Sequence, residues 1–142
     1  MKRRLAGFVL AVLATAALSS VIQTLRVHAG LSALGVEIPF GLRLSAIGED
    51  LVGFAPTYAA IVASGFLIAF LVAGLIRRRA KQLGPWLHGL AGGVAILTAL
   101  LTMDTLLGMS VIAGARGAWG IALFTLAGVV GGALFARIGA RR

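Results

Sequence analysis

The chain has 142 residues, of which 60% are hydrophobic and 12% charged, with a mean hydropathy of +1.05. A soluble domain carries about 25% charged residues, so 13 basic and 4 acidic side chains are too few to cover a surface facing water. Disorder is excluded as well, because it requires low hydrophobicity. The lack of cysteine removes disulfides, thiolate nucleophiles and sulfur-ligated metals.

Reading from charge to charge gives the elements in order. Uncharged runs of 21, 26, 22 and 20 residues separate Arg4 from Arg26, Asp50 from Arg77, Lys81 from Asp104, and Arg116 from Arg137. A helix crosses the hydrocarbon core in about 20 residues. Backbone groups in lipid must bond internally, as in helices or closed barrels, and these runs lack the period-two alternation of barrel strands. The expectation is an all-α membrane protein, a single integral domain over 1–142 forming a four-transmembrane-helix bundle. Its spans lie at about 5–25, 52–76, 85–104 and 117–137.

The first span also has the plan of a cleavable signal peptide, with MKRR, an apolar run and Ala14-Thr15-Ala16. Its uncharged run reaches Leu25, longer than the usual apolar region, so the span is expected to be retained. The loop that follows is broken by Gly30, Gly35, Pro39 and Gly41, and then Phe40, Leu44, Ile47 and Leu51 recur at helical spacing. That pattern predicts a short amphipathic helix in the first periplasmic loop, lying on the outer membrane surface. The second such loop, Asp104 to Arg116, is apolar enough to tuck against the first or dip into the interface.

Ten basic residues and no acid fall on the side of the chain ends: Lys2, Arg3, Arg4, Arg77, Arg78, Arg79, Lys81, Arg137, Arg141 and Arg142. The opposite side holds Arg26, Arg43 and Arg116 with all four acids, Glu37, Glu49, Asp50 and Asp104. The asymmetry predicts both termini in the cytoplasm, and a bacterial inner membrane is the expected location. The net charge of +9 is then chiefly an orientation signal. Anionic lipid headgroups are its natural partners; basic residues interleaved with recognition groups, as nucleic-acid binding requires, are missing.

Small residues mark where helices approach closely in lipid. Gly89 and Gly93 form one such pair on the third span, and Gly128 and Gly132 another on the fourth, while Gly65, Ala69 and Ala73 repeat the spacing on the second. These are expected to be packing seams within the bundle, or one of them a homo-oligomer contact.

Polar groups inside spans are costly and so are the first functional candidates. Thr15, Ser19 and Gln23 form a stripe on the first span leading to Arg26, and Thr98 and Thr102 share a face of the third. Gln23 is expected to bond to another helix. Asp104 ends the third span about 27 Å beyond Trp86 and lies within about 20° of Gly93 in helical phase. It is expected to pair with Arg26 or Arg116. His28 and His88 fall at opposite membrane interfaces, too far apart to share a metal, and no metal-ligand spacing or catalytic motif is present. No cofactor is implied. The layout is similar to that of small multidrug transporters, but their buried first-span glutamate has no counterpart among residues 5–25. The leading expectation is a non-catalytic accessory, assembly or scaffold subunit that contacts membrane lipids and other membrane proteins or itself. The alternative is a small oligomeric transporter or channel for a lipid or modest solute, built around Gln23, Thr98, Thr102 and Asp104.

Overall fold

In a computed structural model, residues 2–80, 82 and 84–140 are described, the side chain of Ala140 excepted. Four helices account for most of them: α1 (Lys2–Ala33), α2 (Phe40–Arg79), α3 (Leu87–Leu107) and α4 (Gly117–Ala140). Each is long and apolar enough to cross a membrane, and no strand occurs among the described residues. A single 3₁₀ turn, Ala113–Ala115, precedes α4.

The helices run alternately up and down. α1 packs on α2 and α4, α3 packs on the same two, and the α3–α4 seam is the most extensive. Diagonal space is filled by rings. Tyr58 of α2 meets Phe124 of α4 edge-on at 5.8 Å, and Phe70 stacks on Phe135 at 4.5 Å. Phe66 and Phe124 are fully buried. Trp86 and Trp119 instead face outward, near opposite ends of the bundle, as aromatic residues do at membrane interfaces.

The α3–α4 seam is made by glycine. A Cβ on Gly128 would lie 2.6 Å from the Gly92 carbonyl oxygen, and one on Gly132 would collide with the His88 carbonyl. Of the pairs expected from sequence, Gly128 and Gly132 carry the close backbone approach. A Cβ on Gly93 would press on the Val129 side chain and touch Thr125 at an ordinary 3.5 Å, and one on Gly89 would have ordinary contacts of 3.5 Å or more. On α3 the backbone at Gly92 meets Gly128, and that of His88 and Gly89 meets Gly132, whose Cβ would lie 2.9 Å from the Gly89 Cα. Gly65, by contrast, faces Ala95 at an ordinary 3.6 Å.

The separate amphipathic surface helix expected in the first loop does not form. Residues 40–51 are the first turns of α2, which continues without a break to Arg79, and α1 likewise runs past Arg26 to Ala33. Gly30 and Gly41 stay inside helices; only Gly35, at φ 83°, ends one. Pro39 is the N-cap residue of α2, where a missing N–H costs nothing. The result is a helical hairpin. Its root is level with the 3₁₀ turn, where Gln23 and Arg26 touch Gly114 and Arg116. From there residues 27–33 rise about 10 Å and residues 40–49 about 15 Å beyond the other two helices. Arg77, Arg78 and Arg79, expected in a connecting loop, form the last turn of α2, where their charge complements the helix dipole.

Candidate functional site

The polar side chains of α1 lie on its inward face. Thr15, Ser19 and Ser20 are completely buried and Thr24 almost so. Thr15 Oγ1 donates to the Ala127 carbonyl of α4 at 3.4 Å. Ser19 lies beside the Tyr58 hydroxyl without closing a hydrogen bond, and the hydroxyls of Ser20 and Thr125 also find no partner among the described residues. A buried hydroxyl in that state costs about 1–3 kcal/mol, so within the stripe it is Thr15 and Gln23, not Ser19, that contribute bonds to the bundle.

At the hairpin root the stripe meets charge. Thr24 Oγ1 donates to Asp50 Oδ2 at 2.6 Å, a charge-assisted bond joining α1 to α2. The Ser20 carbonyl is 3.2 Å from the same hydroxyl, longer and uncharged, so the carboxylate takes the proton. One residue earlier on α1, Gln23 Oε1 accepts the Gly114 N–H at 2.6 Å, and Arg26 Nη2 donates to the Arg116 carbonyl at 3.3 Å. Three contacts within one turn of α1 therefore tie it to α2 and to the turn before α4. Ile112, Gly114 and Ala115 are buried in this junction. The apolar loop thus packs on α1, while its Met109 and Val111 remain exposed.

Several expected site residues lie elsewhere. Asp104 is half-buried and takes no hydrogen bond or ion pair among the described residues, so the expected pairing with Arg26 or Arg116 is not formed. Arg26 and Arg116 do meet, through the backbone of the latter. Thr98 and Thr102 point away from the bundle, and do not line an internal path with Gln23. The partner that sequence reasoning missed is Asp50. Its signal was present: it closes the 26-residue uncharged run, and its charge sits where a membrane helix would be leaving hydrocarbon.

His88, the second residue of α3, turns its ring into the bundle. It is 7% exposed, its ring enclosed by Phe70 and Phe135 at 5.8 and 5.3 Å, with Nδ1 unpartnered. The Gly132 contact explains this: with no side chain on α4 there, the start of α3 sinks against it and carries the imidazole inside. Phe70 is twenty residues along α2 from Asp50, about 30 Å. The buried imidazole and the clasped carboxylate therefore cannot exchange a proton directly, and no three His, Asp or Glu side chains converge among the described residues. What the arrangement does chemically is hold helices together at the hairpin root.

Compared with known proteins, the chain matches no family model, no curated sequence and no solved structure.

Proposed function

We propose that this chain is a non-catalytic subunit of a bacterial inner-membrane complex, serving its assembly or scaffolding, with both termini in the cytoplasm and the α1–α2 hairpin as its docking element. The observation that carries the reading is the hairpin itself. It stands about 10–15 Å clear of α3 and α4 yet exposes Leu34, Phe40, Leu42 and Leu44, with Phe40 75% accessible. Left in water, each large apolar side chain forgoes about 1.5–3 kcal/mol of burial, and contiguous patches of this kind mark interaction surfaces. The root contacts give the hairpin a fixed direction, as a docking element needs. Orientation rests on charge. α1 begins with Lys2, Arg3 and Arg4 and no acid in its first turn, although the helix dipole favours acids there. Those residues serve the topology at the expense of the helix.

Gentle solubilisation and native mass spectrometry test the proposal. A stoichiometric second subunit is expected with the full chain, and a Phe40→Ser, Leu44→Ser variant should lose it without a change in bundle melting. A wild-type chain that travels alone, or a variant that keeps its partner, overturns the reading. A reporter fused to the C-terminus should be active only in the cytoplasm. The oligomeric transporter reading draws support from the outward-facing Thr98 and Thr102, which would line a path between copies; liposome flux abolished by Thr102→Val would favour it.

A further inference from the structure

Above the hairpin root, α1 and α2 go on presenting the faces that the rest of the bundle covers below it. On α1, Gln23 bonds to Gly114 in the turn before α4. Gly30 and Leu34 follow on the same face, about two and three turns further on. On α2, Tyr58 meets Phe124 of α4. Phe40 precedes Tyr58 by five whole turns and so shares its face, with Leu44 and Leu51 within about 40° of it. Leu34, Phe40, Leu44 and Leu51 are all exposed, and a Cβ on Gly30 would meet nothing within 4 Å. The two helices thus form an apolar corner, with Gly30 on one wall and the Ala113–Ala115 turn as its floor.

Resting on the docking reading above, we propose that this corner seats an α-helix of a different subunit, which lies on the turn where α4 begins and continues its line. A helix is what the same two faces hold one level down, where α4 packs on α1 and its Phe124 meets Tyr58 of α2. Gly30 leaves room for a backbone to come close to α1, as glycine does in the α3–α4 seam. Lipid chains do not fit: Arg26, Glu37, Arg43, Glu49 and Asp50 crowd into this hairpin, and hydrocarbon excludes charge. Nor does a second copy in the same membrane orientation, which reaches this height only with its own hairpin. Because α1 and α2 run unbroken through the root, laying that hairpin over the turn would drive its lower half through α4. The occupant offers an apolar face of about two to three turns, the height of the corner.

The chain has no cysteine, so single cysteines in the full chain report on what is covered. In native membranes, N-ethylmaleimide should alkylate Leu44→Cys about tenfold more slowly than Ser45→Cys, its exposed neighbour turned away from the corner. With the purified chain in lipid vesicles the two rates should be equal. Gly30→Leu fills the corner without touching the bundle, and in native mass spectrometry it should reduce the retained second subunit about tenfold. Ala29→Leu, the same added bulk on the exposed outer face of α1, should retain it. Equal alkylation rates in native membranes would overturn the proposal together with the docking reading. Slow alkylation of Leu44→Cys in the vesicles would assign the cover to lipid or to a second copy. A second subunit that Gly30→Leu retains in full would place the docking contact elsewhere on the hairpin. Either of the last two outcomes overturns the seated helix and leaves the hairpin a docking element.

Discussion

Replacing Gly128 by alanine tests the α3–α4 seam directly. The new Cβ would lie 2.6 Å from the Gly92 carbonyl oxygen and 2.6 Å from Ile96 Cγ1, where ordinary contact begins at 3.4 Å. Ile96 can turn aside, but the carbonyl is backbone, so the two helices must separate locally by about 0.8 Å. A gap of about 0.5–1 Å forfeits a quarter to a half of each dispersion contact across it, and packing is the main force between helices in lipid. Overpacking costs about 1–3 kcal/mol where side chains can adjust. With backbone as the obstacle we expect about 2–3 kcal/mol, at least about thirtyfold in the unfolding equilibrium. Gly89→Ala is the control, because its Cβ would meet nothing nearer than 3.5 Å, and it should change stability by less than about 0.5 kcal/mol. Sodium dodecyl sulfate titration of the full chain in mixed micelles, followed by helical circular dichroism, measures both. Equal midpoints for the two variants would refute the assignment of the seam to Gly92, Gly128 and Gly132.

Thr24→Val removes the donor to Asp50 and leaves a half-buried carboxylate unpaired, for an expected loss of about 1.5–3 kcal/mol in the same titration; Asp50→Asn, whose amide oxygen still accepts the bond, should lose less. Gln23→Leu takes away the acceptor of the Gly114 N–H, and hydrogen exchange at that amide should speed up about fivefold, the worth of a bond of about 1 kcal/mol. Gly131→Ala drives a Cβ into Thr15 Oγ1 and to 3.0 Å from the Ala11 carbonyl. Adding Thr15→Ala clears the first obstacle, so the double variant should recover about 1 kcal/mol of the loss, and strict additivity would contradict the contact.

Four helices of membrane-crossing length were legible because hydrocarbon excludes charge, and Arg4, Arg26, Asp50, Arg77, Lys81, Asp104, Arg116 and Arg137 bound the uncharged runs. Helix ends were not, because a helix that has left the bilayer need not stop. α1 and α2 run on past Arg26 and Asp50, through Gly30 and Gly41, which did not break them. The glycine spacing located the α3–α4 seam but left out Gly92, where the backbone of α3 meets Gly128. Gly89, Gly92 and Gly93 all lie on the packed face, and only the azimuth of α4 selects Gly92. Asp104 looked like the carboxylate to watch because it closes a span, yet so does Asp50. The deciding fact is that Thr24 bonds to Asp50 while Asp104 takes no hydrogen bond or ion pair among the described residues, a relation between helices that one-dimensional spacing does not carry. Gln23 was readable as a cross-link from its chemistry alone, since a buried amide must find partners, while the identity of Gly114 required the fold.

The inward face of α1 bears on how the protein is made. Thr15 finds its acceptor in Ala127, 112 residues later, so α1 leaves the ribosome before α4 and waits for it before the Thr15 hydroxyl is sealed from lipid. During that interval the nascent chain must shelter against α2 alone or against the insertion machinery. Substitutions that speed the arrival of α4, or that make α1 greasier, should therefore alter the yield of folded protein in the cell more than they alter the stability of the finished molecule.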